Sequence, residues 1–138
     1  MDGFLGRYSI YFYAILRIVS GFVFMLHGTQ KFFGYPPNPK GGGSLDTLMT
    51  VGAGIEVVGG LLIMIGLFAS IAAFISSGMM AVAYFMVHQP MGLWPPTNGG
   101  DAAVLNCFIF LYIASRGSGV WSIDSVFRGG RNSSNLTN

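Results

Sequence analysis

The sequence predicts an all-α protein: an integral membrane, antiparallel four-helix bundle. Three observations carry that prediction. Of 138 residues, 52% are hydrophobic and 9% charged, against roughly 25% charged in an ordinary soluble domain. Mean hydropathy is +0.61. The apolar residues collect in four runs whose lengths suit a helix crossing a hydrocarbon core of about 30 Å.

The first run, about 10–33, carries aromatic residues at both ends and has no small-residue cleavage site after it, so it is expected to stay in place as an anchor. The second, about 48–67, and the third, about 71–88, are separated by only a few residues around Gly66. As one straight helix they would extend about 60 Å, twice the membrane thickness, so the chain must turn back there. The fourth, about 101–116, is the shortest. Segment 117–138 reads as an interfacial stretch around Trp121–Arg128 followed by a loose polar tail from Gly129. All of this forms one domain, 1–138.

The net charge of +2 comes from seven basic residues that form no run or stripe, which argues against tracking a nucleic-acid backbone. The lone Cys107 excludes an intrachain disulfide and any CxxC motif. No metal-ligand cluster and no phosphate-binding glycine loop is visible. Arg7, Arg17, Arg116, Arg128 and Arg131 lie at the end shared by both termini, Lys31 and Lys40 at the other. The positive-inside rule then makes both termini cytoplasmic in a multi-pass bacterial inner-membrane protein. The two Pro- and Gly-rich loops, 34–44 and 89–100, lie outside.

Glu56 is the focus of the candidate site. It is the one formal charge in the apolar run Leu48–Val87, and such a residue costs several kcal/mol unless paired, hydrated or protonated. Helical spacing puts it on a face with Gly52, Gly59 and Gly60, turned into the bundle. On the first helix, Arg17, Ser20, Gly21, Phe24, His27, Gly28 and Lys31 share one stripe. The third helix has Ala69, Ala73, Ser76, Ser77, Ala81, Tyr84 and His88 on its stripe, and the fourth has Asp101, Leu105, Phe108 and Tyr112. Counting at roughly 1.5 Å per residue sets His27 about 9 Å and Glu56 about 12 to 15 Å below the outer surface, with Lys31, His88 and Asp101 near that surface.

Two readings of this convergence stand. In one, Glu56 and His27 are catalytic proton handlers, because burial raises a carboxyl pKa and a neighbouring cation lowers it; Lys31, His88, Asp101 and Tyr84 then bind the ligand. In the other, Glu56 is a structural pin paired with His27 or Lys31. Arg17 is read as snorkelling to the cytoplasmic headgroups, and Asp101 as the N-cap of the fourth helix.

The chain also resembles the DoxX family of small four-helix membrane proteins. The resemblance rests on Arg17 with Gly21, on His27-Gly28-Thr29-Gln30-Lys31-Phe32-Phe33-Gly34, and on Gly54-Ile55-Glu56-Val57-Val58-Gly59-Gly60 followed by Gly66 and Ala72-Ala73. Asn98-Gly99-Gly100-Asp101 and Trp121-Ser122-Ile123-Asp124 extend it. Ser70 stands where the family often has Arg, and Asp101 where it often has Glu. The resemblance implies a link to quinone-dependent oxidoreductases. This chain is then at most a membrane subunit of an oxidoreductase complex, working with other membrane subunits. Quinone is the one cofactor-like ligand this reading admits. The alternative is a non-enzymatic accessory subunit of a larger respiratory or photosynthetic complex. A small transporter fits less well, for want of an inverted repeat or a broken helix.

Overall fold

The computed structural model describes residues 3–39 and 44–134, with side chains through residue 129. Lys40, which the sequence assigns to the first outer loop, and residues 135–138 of the polar tail lie outside the described residues. So does the side chain of Arg131. Every regular element among the described residues is helical, and no strand occurs among them.

A 3-10 turn, Gly6–Tyr8, leads into α1, Ser9–Phe33, which ends at Gly34 in a left-handed conformation (φ 67°). Helix α2, Thr47–Ile65, begins at Asp46, whose carboxylate accepts the backbone N–H of Met49 at 2.7 Å. That N-cap lies just upstream of the apolar run and satisfies one of the helix's unpaired first-turn donors. Three residues, Gly66–Phe68, separate α2 from α3, Ala69–Ala83. Helix α3 does not stop at Ala83 but widens into a π turn, Tyr84–His88, and then tightens to a 3-10 turn, Gln89–Met91. A short α4, Pro95–Asn98, precedes α5, Asp101–Arg116, and α6, Ile123–Ser134. Three helical stretches are long and apolar enough to cross a membrane: Gly6–Phe33, Thr47–Ile65 and Ala69–Met91. Helix α5, at 16 residues, reaches about 24 Å.

Helix α1 lies antiparallel on α2 with the backbones in contact. A Cβ added at Gly21 would sit 2.6 Å from the Met64 nitrogen, one at Gly60 would sit 2.6 Å from the Met25 nitrogen, and one at Gly28 would sit 2.7 Å from the Ala53 oxygen. In lipid there is little hydrophobic gain from bringing helices together, so this close packing is what holds the pair. Helix α3 packs along α5, and α2 against α3 joins the two pairs. Where the pairs meet, Phe24 meets Phe110 edge to face, ring centroids 4.6 Å apart, beside Ile63, Ala73 and Ile113.

Helix α5 turns a different face inward from the one the sequence predicts. It buries Ala103, Phe110 and Ile113, while Leu105 and Phe108 are about two-thirds exposed, at 63% and 66%, and Asp101 and Tyr112 also face outward. An apolar helix in lipid carries no polarity contrast between core and surroundings, so its pattern does not say which side packs. Here Leu105 and Phe108 are turned away from the other helices while Phe110 and Ile113 are buried.

At the hairpin end the structure corrects the reading of Arg17. Its side chain does not snorkel; it is completely buried. The guanidinium donates to the carbonyls of Ile63 (2.7 Å) and Met64 (2.9 Å) at the end of α2, and to Val120 (3.3 Å) and Trp121 (2.7 Å) in the turn before α6. Carbonyls at a helix C-terminus lack partners within the helix, and the planar fork of an arginine suits several of them at once. Asp124 completes the joint. Its carboxylate accepts the N–H of Phe68 at 3.0 Å and the hydroxyl of Ser118 at 2.5 Å, and its own N–H donates to Gly66 at 3.1 Å.

The tail reading is corrected as well, since α6 continues past Gly129 to Ser134. Its start is specified by Ser122, whose hydroxyl oxygen accepts the Ser125 N–H at 3.2 Å, the geometry of a serine N-cap. With Asp124 in the first turn, local signals outweigh the polar composition.

Two substitutions on one helix test the backbone contact. Gly60→Val is expected to lower stability in mild detergent by about 2 kcal/mol or more, the scale of overpacking, whereas at Gly54 nothing lies within 4 Å of an added Cβ and Gly54→Ala should be neutral or slightly stabilising. Equilibrium unfolding of both variants checks the pair. For Arg17, the expected order of stability is wild type above Arg17→Lys above Arg17→Met, because lysine keeps the charge but not the fork; the Lys variant should lose about 2 kcal/mol.

Candidate functional site

Side chains on a helix lean toward its N-terminus. On antiparallel neighbours they therefore lean toward each other. Because Gly28 meets Ala53 and Val57, Lys31, one turn toward the loops, points back down the seam while Glu56 points up it. The two meet: the Lys31 ammonium lies 2.6 Å from Glu56 Oε1 and 2.8 Å from Oε2. Glu56 is 3% exposed, and the Lys31 side chain 36%. The pair thus has a buried end and an open end, and a single ammonium satisfies both carboxylate oxygens. Of the two partners the sequence offers Glu56, the structure selects Lys31. The stagger of α2 beyond α1 brings Glu56 level with His27 and closer to the loop end than counting from flush ends implies.

This ion pair sits on the wall of a half-open cavity of about 620 Å³ lined by α1, α2, α3, the π turn and α5. That size suits a small organic ligand, and so does the chemistry of its walls: mostly aliphatic and thioether surface, with a few polar groups at separate points. Met49, Met79, Met80 and Met86 supply much of the apolar lining, a flexible surface that adapts to shape. The polar groups are His27, Gln30, Lys31, Glu56, His88 and Asn106.

Four of the residues predicted from the sequence come together here: Glu56, His27, Lys31 and His88. His27 sits on an exposed flank of α1, and its ring makes no hydrogen bond among the described residues. His88 closes the π turn, and its Nδ1 lies 3.2 Å from the Asn98 carbonyl oxygen. A carbonyl only accepts, so Nδ1 carries the proton; in the neutral ring Nε2 is left as an acceptor for the cavity that His88 lines.

Tyr84 and Asp101 do not line the cavity. Tyr84 donates from its hydroxyl to the Leu93 carbonyl at 3.0 Å and stacks with His88, ring centroids 6.5 Å apart, so it supports the loop above the site. Asp101 is exposed and is the first residue of α5; the N-cap is Gly100, and no side chain caps the helix. The N-cap reading is therefore corrected, although a carboxylate in the first turn still opposes the helix dipole favourably.

Two asparagines complete the site without having been singled out from the sequence. Asn98, 5% exposed, donates to the Gly92 carbonyl at 2.7 Å and accepts the Gly100 N–H at 2.8 Å, tying the loop 92–100 into one piece beside His88. Asn106 lines the cavity from α5 with its amide unpaired among the described residues. A lone amide inside an apolar helix is itself a signal, of the same kind as Glu56. Among the described residues, no group of His, Cys, Asp or Glu could hold a metal ion.

Residues 12–89 match the DoxX family. The matched stretch takes in α1 from residue 12 onward, α2, α3 and the π turn, and with them both members of the ion pair; the resemblance at 98–101 and 121–124 lies beyond it. A protein of Haemophilus influenzae, described as an uncharacterized protein, is 41% identical over 128 residues, which cover 89% of this chain and 96% of that protein. No solved structure matches.

The ion pair makes a double-mutant cycle informative. Lys31→Met strands a buried carboxylate and is expected to cost about 3 kcal/mol, whereas Glu56→Gln leaves a half-exposed ammonium and should cost about 1 kcal/mol. Adding Lys31→Met to Glu56→Gln should then cost little more than Glu56→Gln alone. Strict additivity in equilibrium unfolding would mean that the pair is not coupled.

Proposed function

This chain belongs to the DoxX family of membrane proteins, and from that premise we propose that it is an inner-membrane subunit of a quinone-linked redox complex. The cavity at the loop end is the ligand site. The observation that carries the proposal is the combination of one large, mainly apolar cavity with an ammonium, a carboxylate, two imidazoles and a free amide on its walls. A quinone matches it: an apolar body with polar oxygens at separated points of one ring. In this reading α5 completes an antiparallel four-helix transmembrane bundle, both termini are cytoplasmic, and the cavity lies in the outer half. Arg7, Arg116 and Arg128 at the hairpin end, with Lys31 at the other, support that orientation.

The residues take distinct roles. Lys31 and Asn106 donate hydrogen bonds to ring oxygens. His88, with its proton held on Nδ1 by the Asn98 carbonyl, presents Nε2 to accept a hydroxyl proton. Glu56 exchanges a proton with the ligand once a ligand oxygen draws Lys31 away. His27 relays protons at the open side of the cavity. Electrons stay with the ligand and a partner subunit.

The ion pair also favours a second reading. A carboxylate with both oxygens satisfied by one lysine is what a structural pin requires, and it fits an accessory subunit with no proton chemistry of its own.

Native mass spectrometry from mild detergent separates the two. The redox reading expects bound quinone in the wild-type protein, and a quinone-dependent rate of the purified complex that falls at least tenfold in Glu56→Gln, a typical lower bound for loss of a proton-transfer group, with the subunits still assembled. Absence of quinone from the wild type, with stoichiometric partner chains in both proteins, would favour the accessory role.

A further inference from the structure

A second cleft lies at the opposite end of the molecule, away from the ion pair. It encloses about 380 Å³ between the start of α1, the turn after α5 and the first turns of α6. Arg116 and Arg128 stand on its walls. Among the described residues neither arginine forms an ion pair. The Arg116 guanidinium lies over the Tyr13 ring, 5.4 Å from its centroid, which holds it at the cleft rather than in solvent.

The one carboxylate in the cleft, Asp124, is already committed to the Phe68 N–H and the Ser118 hydroxyl. Two guanidiniums against one carboxylate leave a single positive charge, the charge that one phosphodiester neutralises. The turn itself adds donors. The backbone N–H groups of Ser118, Gly119 and Val120, all lining the cleft, donate to no acceptor among the described residues.

Around the cleft the surface is apolar. Trp121, Val126 and Phe127 are exposed, Val126 and Phe127 at 72% and 68%, and Trp121 packs against Tyr11 with ring centroids 5.4 Å apart. An exposed tryptophan and phenylalanine beside arginines mark the level where headgroups meet acyl chains. A free anion would have no use for that apolar rim.

We infer that this cleft is a binding site for one acidic phospholipid, its phosphate held between Arg116 and Arg128 and its acyl chains lying along Trp121 and Phe127. Guanidiniums grip phosphate oxygens in pairs, and near a membrane surface each basic residue adds to the preference for acidic lipid. The site shares no residue with the loop-end cavity and stands whether or not that cavity binds quinone.

The test uses the full chain, reconstituted in vesicles of equal phosphatidylglycerol and phosphatidylcholine, then released for native mass spectrometry. The expected result is retention of one phosphatidylglycerol per chain, about tenfold over phosphatidylcholine. In Arg116→Gln/Arg128→Gln the ratio should fall to near one, with circular dichroism confirming the fold. Ser125→Glu, which sets a carboxylate at the exposed rim without touching either arginine, should also abolish the preference and keeps the test valid if the double variant misfolds. Equal retention of both lipids by the wild type overturns the assignment. So does a preference that survives in Ser125→Glu or in the folded double variant. Displacement of the lipid by excess inorganic phosphate would show a site for a free anion and would reject the lipid.

Discussion

The buried guanidinium of Arg17 is the interaction on which the hairpin end depends. A charge with no exposed surface is unfavourable anywhere, and more so beside lipid. It is held because four carbonyls surround it: two from the last turn of α2 and two from the turn before α6. One side chain on α1 thereby ties the end of α2 to the turn before α6. Gly66 permits the arrangement, since a Cβ there would lie 2.3 Å from the Ser122 Cβ and 2.6 Å from the arginine itself.

Lys31 and Glu56 solve the same problem differently at the other end. Arg17 is held by four carbonyl dipoles, with no carboxylate in direct contact, so it is locked. Glu56 is neutralised by a cation that is itself partly exposed, so the pair has an accessible end that Arg17 lacks. The contrast separates a joint from a site. Both charges lie on the α1–α2 seam, and the glycines that let the two backbones touch also bring the charged side chains into reach.

Much of this architecture was legible in the sequence, and the remainder was not for identifiable reasons. Long apolar runs, the punctuating Gly66 and the glycine face around Glu56 announce membrane helices in close contact, because hydrophobicity and residue size act locally. Glu56 itself stands out as the single charge in its run. The choice of Lys31 over His27 depends on the lean of side chains between antiparallel helices and on the stagger of α2 past α1, which spacing along one chain does not contain. Arg17 was misread because its partners are backbone carbonyls, which every sequence possesses and none displays. The inward face of α5 escaped because lipid and protein core are equally apolar. Asn98 and Asn106 are uncharged, and an amide in a sequence does not show whether its surroundings are buried.

The two non-glycine residues with left-handed backbones, Phe68 and Trp121, at φ 49° and 53°, belong to the joint around Arg17. Such conformations are unfavourable for residues with a Cβ and persist only where their surroundings over-determine them. Here Asp124 claims the Phe68 N–H and Arg17 claims the Trp121 carbonyl. Each turn is held in its shape by a contact from the other. A change that loosens one of them therefore loosens the other, so the α2–α3 turn and the start of α6 behave as a single structural unit although they are far apart in the sequence.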